Sequence, residues 1–480
     1  MLFNSLDFAV FIPIVFLLYW FVFLKNFRLQ NILLILASYV FYGWWDYRFL
    51  ALIILSSFID YFIANRITEN QSVKKKKYLL YLSLFVNLGM LGVFKYFNFF
   101  IDNFNKAFSL LGYQFSGITL EIILPVGISF YTFQTLSYTI DVYRGNIKAT
   151  KQLDSFFAFV SFFPQLVAGP IERATNLLPQ FQKKRHFDYA LAVDGLRQIL
   201  WGLLKKVVIA DNCATIANAV FLNYETEPSG MLIIGAIAFA FQIYGDFSGY
   251  SDIAIGLSKL FGFRLMANFA FPYFSRDIGE FWRRWHISLS TWFRDYLYIP
   301  LGGSRGGTLS KVRNTFIIFV VSGFWHGANW TFIVWGGLNA LFFIPLLLTN
   351  RNRRNIDTIK TNLFFPSFRD FLNISLTFII TCFAWIFFRA DSVAIASRYI
   401  LNIFDLTNYT AFNLSFDNAK IILLVLAFII IEWINKDKLH VLERLNLKFS
   451  RLVNWSIYLI IIFIIFTFGG NQQDFIYFQF

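Results

Sequence analysis

Glu280-FWRRWHISLSTWFRDYLYIPLGGSR-Gly306 is a polar, arginine-bearing and glycine-punctuated stretch in a chain that is otherwise apolar. A second histidine follows in Ser322-GFWHGAN-Trp330. Ionisable groups held at membrane depth are costly, so those a membrane chain keeps between its spans are functional candidates by default. Outward from this stretch the composition is that of a membrane protein. Of 480 residues, 57% are hydrophobic, 21% aromatic and only 15% charged. Soluble domains run nearer about 25% charged. The mean hydropathy is +0.57. The 64 Phe and 13 Trp suit lipid-facing surfaces and interfacial belts.

The fold class expected is an all-α polytopic membrane protein forming one domain over 1–480. A span needs roughly 20 apolar residues. Clear candidates lie at 8–24, 30–46, 48–65, 78–100, 195–221, 230–248, 313–325, 329–348, 371–389, 419–435 and 452–469. Softer stretches near 118–135 and 155–169 contain Pro125-Val-Gly127 and Ala168-Gly-Pro170. They read as broken or re-entrant, which is tolerated only where protein or a water-filled cavity surrounds the backbone. The first apolar run is too long for a signal-peptide core and lacks a small-residue cleavage site, so it reads as a retained span.

The net charge of +14 reads as cytoplasmic loops rich in Lys and Arg. Nucleic-acid binding is not expected, since no soluble basic face interleaved with aromatics exists to carry it. Basic residues follow spans one and three (Lys25 and Arg28; Arg66 and Lys74 to Lys77), which places the N-terminus outside. The islands at 182–187, 351–354 and 436–438 read as cytoplasmic anchors. The two cysteines, Cys213 and Cys382, sit in apolar surroundings with no metal-site spacing; no metal is expected.

His326 is flanked by Phe324-Trp325 and Gly327-Ala328-Asn329-Trp330. Desolvation favours a neutral imidazole, and a neutral ring can act as general base toward an alcohol. Gly327 and Ala328 would leave room for a substrate beside the ring, and Asn329 could orient the ring or stabilise an oxyanion. A structural histidine bonded to a neighbouring helix is the competing reading. His286 lies in Trp282-Arg-Arg-Trp-His, where an amphipathic interfacial helix competes with a site for a phosphate-bearing donor, arginine being suited to bidentate phosphate contacts. Arg283, Arg284, Trp285 and Arg294 are the candidate donor contacts. Asp246, in Ile243-YGDFSGYS-Asp252, could line the same cavity or cap a helix. A Gly-x-Ser-x-Gly elbow is missing, as are a His-Glu-x-x-His metal helix and a His-x4-Asp motif, positions 291 and 331 both being Thr. A general-base histidine with direct attack remains.

These segments resemble the membrane-bound O-acyltransferases, most of all their bacterial alginate O-acetyltransferase branch. Pro125-VGISFYTFQTLSYTIDVYR-Gly145, Phe162-FPQLVAGPIE-Arg173 and the terminal Phe475-IYFQ-Phe480 support the likeness. The resemblance implies a ring-like bundle of transmembrane and re-entrant helices with a central tunnel. It implies His326 as the base and His286 as its catalytic or donor-side partner. The implied donor is a cytoplasmic acyl thioester, acetyl-CoA above all, with no permanently bound cofactor. The acceptor would be an exported polysaccharide such as alginate, reached with an extracytoplasmic SGNH-type partner from the bacterial inner membrane. D-alanyl transfer to teichoic acid from a carrier protein, peptidoglycan O-acetylation, and a transporter without chemistry are the alternatives.

Overall fold

A computed structural model describes residues 1–113, 123–167, 169–356, 365–405, 415–445 and 449–478. Among the described residues the regular structure is entirely helical. Six helices among the described residues are long and apolar enough to cross a membrane: Phe27–Glu69, Val73–Ser109, Ser229–Leu260, Trp330–Leu348, Phe368–Arg389 and Arg451–Phe468. The first joins two expected spans, 30–46 and 48–65, through a single 3-10 turn at Tyr47–Phe49. Four expected spans fall outside this set: 8–24 because its apolar helix, Leu6–Val22, is too short, and three others because polar residues dilute them. Residues 195–221 carry Lys205, Lys206 and Asp211 around a π-helical turn, Leu204–Ala210. Thr308–His326 opens with Lys311 and Arg313, and Phe416–Ile434 holds Asp417, Lys420 and Glu432.

The chain divides into two compact units, Met1–Ala192 with Leu257–Met266, and Val193–Gly256 with Ala267–Phe480. In chain order the first contains α1 (Leu6–Leu17), α2 (Phe27–Asp46), α3 (Leu50–Glu69), α4 (Val73–Leu91), α5 (Phe97–Ser109), α6 (Ile128–Arg144), α7 (Leu153–Ser161), α8 (Phe163–Leu166) and α9 (Ala174–Phe181). Helices α10 (Tyr189–Leu203), α11 (Asp211–Leu222) and α12 (Ser229–Leu260) follow, the last running from the second unit back into the first. The second unit continues with α13 (Ile278–Arg284), α14 (Ile287–Phe293), α15 (Thr308–His326), α16 (Trp330–Leu348), α17 (Phe368–Arg389), α18 (Val393–Ile403), α19 (Phe416–Ile434) and α20 (Arg451–Phe468).

In the first unit, the stretch expected to break at 155–169 does so. Helix α7 has nine residues and α8 four, so α7 rises only about 14 Å, well short of a bilayer core of about 30 Å. Ser155 to Val167 are buried throughout, the environment in which a broken backbone at membrane depth is tolerated. Residues 118–122 of the other soft stretch, and Ala168, lie outside the described residues. What is described of that stretch turns at Gly127 (φ 74°) into α6, and a Cβ there would meet the Leu166 carbonyl oxygen at 2.9 Å. The carbonyls at the C-terminal end of α12 have no partner within their own helix. Trp20 Nε1 donates to the Leu260 oxygen at 2.9 Å and the Tyr19 hydroxyl to the Phe261 oxygen at 3.1 Å. The basic island at 182–187 is not uniformly a solvated anchor. Arg185 is buried and donates to the oxygens of Phe27, Gln30 and Asn31, which ties it to α2.

In the second unit, α15 and α16 form a tight hairpin. A Cβ at Gly323 would lie 2.2 Å from the Phe332 carbonyl oxygen, and one at Gly336 would lie 2.3 Å from that of Phe319. Backbone cannot yield as a flexible side chain does, so Gly323→Ala is expected to cost about 1–3 kcal/mol through overpacking. The thermal midpoint of the purified protein measures this, with Gly337→Ala as reference, since nothing lies within 4 Å of a Cβ at that position. Equal midpoints for the two variants would refute the close approach. Behind the hairpin sits an aromatic core, in which Trp385 stacks on Trp335 at 5.6 Å and meets Trp285 at 5.1 Å.

Candidate active site

Helix α13 starts where the Asp277 carboxylate accepts from the Glu280 amide at 2.7 Å. It ends when Trp285 turns extended and His286 enters the left-handed region, at φ 44° and ψ 54°. A side chain there costs about 1–3 kcal/mol, and such strain clusters at functional sites. The segment 268–270 holds the reversal in place. The Ala270 amide donates to the Arg284 oxygen at 3.0 Å, and the Ile287 amide to the Asn268 oxygen at 2.9 Å.

The same Asn268 determines the state of the His286 ring. Its Oδ1 accepts from the Ser288 amide at 3.3 Å and from Ser288 Oγ at 2.8 Å, while its Nδ2 donates to Ser251 Oγ at 3.1 Å. The amide oxygen therefore faces His286 Nδ1, 3.1 Å away, and Nδ1 must carry the proton. Burial pushes the ring's pKa well below the usual imidazole range. The neutral ring then keeps its lone pair on Nε2.

His326 is the last residue of α15 and is 4% exposed. Its ring meets Trp335 edge-on at 5.2 Å and Phe388 at 5.4 Å, and lies 6.5 Å from the ring of His286. The two histidines, 40 positions apart in the chain, are thus neighbours in one buried aromatic box. The room expected at Gly327 is already taken. A Cβ there would meet the Phe332 ring at 2.0 Å, because the return of the hairpin folds that ring over the glycine.

The remaining sequence candidates separate. Arg284 donates to a buried Glu280 at 2.7 Å, and Arg276 grips the same carboxylate at 3.0 and 3.1 Å. Arg283 donates to the backbone oxygens of Asn352 and Asn355. Arg283 and Arg284 line a cavity of about 590 Å³ that also receives Lys436, Lys438 and Arg444, against the acids Glu280, Asp437 and Glu443. Trp285 is buried in the aromatic core. Arg294 is exposed and pairs with its neighbour Asp295. Asn329 caps α16, accepting from the Thr331 amide at 3.1 Å, and donates to the Asp391 oxygen at 3.0 Å. Its amide group thus faces its own helix start and the 391 backbone rather than a ring. Asp246 pairs with Lys206 at 2.7 Å and accepts from the Ile476 amide at 2.6 Å.

That last bond exposes what the sequence reading missed. The chain after α20 packs back into this unit. A Cβ at Gly470 would lie 2.8 Å from the Asn212 nitrogen, and Lys206 Nζ donates to the Gln473 oxygen at 3.0 Å. Held there, Tyr477 sets its ring 5.7 Å from His326, 6.4 Å from His286 and 4.4 Å from Phe247. The aromatic run Phe475 to Phe478 was the available signal; Gln479 and Phe480 lie outside the described residues. Asn268, Ser288 and Lys206 carried no distinguishing signal.

A helical membrane chain in which two buried histidines meet, one of them at the end of a glycine-tight hairpin helix, defines a class. A model of the membrane-bound O-acyltransferase family matches residues 149–390, half of the chain and both histidines. The chain belongs to that family and is a multi-pass membrane acyltransferase. A probable alginate O-acetylase AlgI of Azotobacter vinelandii is 41% identical over 439 residues, covering 90% of this chain and 84% of that one. A peptidoglycan O-acetyltransferase of Helicobacter pylori is 34% identical over an alignment of 528 positions, gaps included, covering 100% of this chain and 98% of its own. A teichoic acid D-alanyltransferase of Streptococcus thermophilus is 31% identical over 231 residues, 45% of this chain and 55% of that one.

Proposed function

We propose that this protein moves an acetyl group from a cytoplasmic thioester, acetyl-CoA, toward hydroxyls of an exported polysaccharide, from the bacterial inner membrane and with an extracytoplasmic SGNH-type partner. The observation that carries the reading is the buried His286–His326 pair at 6.5 Å. In the proposed step a neutral His326 takes the proton of the acceptor hydroxyl as its oxygen attacks the thioester carbonyl. The new C–O bond forms, the C–S bond breaks, and the departing thiolate takes the proton back from the imidazolium. A thioester is reactive enough that positioning plus one base can suffice. His286, fixed as the Nδ1–H tautomer, offers Nε2 as a second acceptor. The cavity lined by Arg283, Arg284, Lys436, Lys438 and Arg444 suits the phosphates of such a donor. The central tunnel expected from the family resemblance belongs to this proposal as the path of the acyl group.

Transfer of label from radioactive acetyl-CoA into an outer-face polymer, in membranes containing this protein, tests the reading. Label supplied only by a charged carrier protein would replace it with D-alanyl transfer. Peptidoglycan is the second acceptor reading, favoured by the end-to-end match to the Helicobacter pylori protein, and identifying the labelled polymer decides between the two. Asn268 is the positioning residue of this scheme. Asn268→Leu removes the acceptor that fixes the His286 tautomer, and turnover should fall at least about tenfold, short of the roughly 10²–10⁴ that a proton-transfer group itself supplies. Asn268→Asp keeps an acceptor and should retain most of the rate. Equal rates in the two variants would take Asn268 out of the scheme.

A further inference from the structure

We propose that the oxygen cluster around Asp60, inside the first unit, is a binding site for a dehydrated monovalent cation, with sodium the ion it fits. Asp60 lies midway along α3 and is fully buried, within a helical stretch apolar enough to cross a membrane. Among the described residues no basic side chain pairs with it. An ionised carboxylate at such depth is costly without an opposite charge. The groups facing it are instead neutral oxygens and one amide. Asp60 Oδ1 accepts from Ser83 Oγ at 2.5 Å and from Thr139 Oγ1 at 3.3 Å, and Oδ2 accepts from Asn87 Nδ2 at 2.8 Å. Asn87 Oδ1 in turn accepts from Ser56 Oγ at 3.0 Å and from Thr135 Oγ1 at 3.3 Å.

This is a shell of one carboxylate, four hydroxyls and one amide oxygen, contributed by α3, α4 and α6. All six residues are fully buried. A single formal charge balances a monovalent ion. Calcium draws on more carboxylates, and magnesium keeps several of its waters, for which a fully buried cluster leaves little access. Each hydroxyl has lone pairs to give once its hydrogen turns elsewhere. Thr135 already shows such an alternative, its Oγ1 lying 3.2 Å from the Thr132 carbonyl oxygen one turn back in its own helix. A further hydroxyl stands on the same stripe: Thr132 precedes Thr135 and Thr139 at helical spacing, is fully buried, and its Oγ1 has no hydrogen-bond partner among the described residues. The bound ion would tie α3, α4 and α6 together and add to the stability of this unit. None of these residues takes part in the acyl-transfer scheme above, so the two proposals stand or fall separately.

The test uses the full-length protein purified in detergent. Its thermal midpoint is followed as NaCl replaces choline chloride at constant ionic strength, with a parallel KCl series. The expected result is a saturable rise of a few degrees in NaCl, since a ligand that binds only the folded state stabilises in proportion to the logarithm of its concentration over Kd. The rise should be smaller in KCl and absent in Asp60→Asn. If Asp60→Asn does not give folded protein, Ser83→Ala and Thr139→Val decide, each moving the half-saturating sodium concentration upward by about tenfold. A midpoint that is flat in sodium, as a protonated Asp60 would give, overturns the proposal. So does a rise that choline reproduces or that survives in Asp60→Asn.

Discussion

Replacing His326 by alanine should lower the rate of acetyl transfer by about 10²–10⁴-fold, the contribution of a positioned proton-transfer group, while donor binding is kept. The base acts only as the attacking hydroxyl loses its proton, so its removal raises the barrier and leaves ground-state contacts intact. His326 also fills space between Trp325, Trp335, Phe388 and Tyr477. Alanine there leaves a cavity, which destabilises in its own right. His326→Gln is therefore the companion variant, closer in volume and without a basic nitrogen. Initial rates of label transfer and thermal midpoints are read on the same preparations. Low rates in both variants, with the midpoint of the glutamine form near wild type, separate chemistry from packing. Wild-type labelling in either variant would return His326 to a structural role.

The all-helical class was legible because it depends only on hydropathy, and hydropathy needs no partner. His286 and His326 stood out for the same reason, as polar groups in an apolar chain. What could not be read was pairing. Nothing in the sequence says that Asn268 reaches back to His286, or that Tyr477 comes to rest beside both rings. Local readings failed where a distant group had filled the space. Gly327 looked like room for a substrate, but its missing side chain admits Phe332. Arg284, a candidate phosphate contact, does line the basic cavity, where it shares a buried Glu280 with Arg276. Lys206 was invisible because a lysine in an apolar run more often snorkels to the interface than pairs in the interior. Asp246 was singled out, but its partners come from the α10–α11 turn and from the chain terminus.

Lys206→Met should destabilise the protein by about 3–5 kcal/mol, the range for removing one member of a buried ion pair, and should free the chain after α20. The Lys206 ammonium sits 2.7 Å from Asp246 and 2.9 Å from Asp211, and all three side chains are at most 3% exposed. It is also the donor to the Gln473 oxygen. Methionine matches lysine in length and flexibility, so packing changes little and the loss is electrostatic. Two carboxylates are left facing each other without a cation, and protonation of one only partly relieves this. The Ile476 amide depends on Asp246, so disorder at the carboxylates passes directly to Tyr477 and to the wall of the histidine box. The thermal midpoint gives the first effect, and protease accessibility of a C-terminal tag gives the second. The double variant Lys206→Met with Asp246→Asn should recover part of the stability, because it removes one of the two like charges, and so their repulsion, together with the cation. A single variant within about 0.5 kcal/mol of wild type, the usual range for unremarkable surface changes, would show that the triad holds neither the charge nor the terminus. A single variant that loses stability but keeps its tag protected would confine the triad to the interior and leave Tyr477 anchored by Gly470 and the packing of Phe475 on Tyr250.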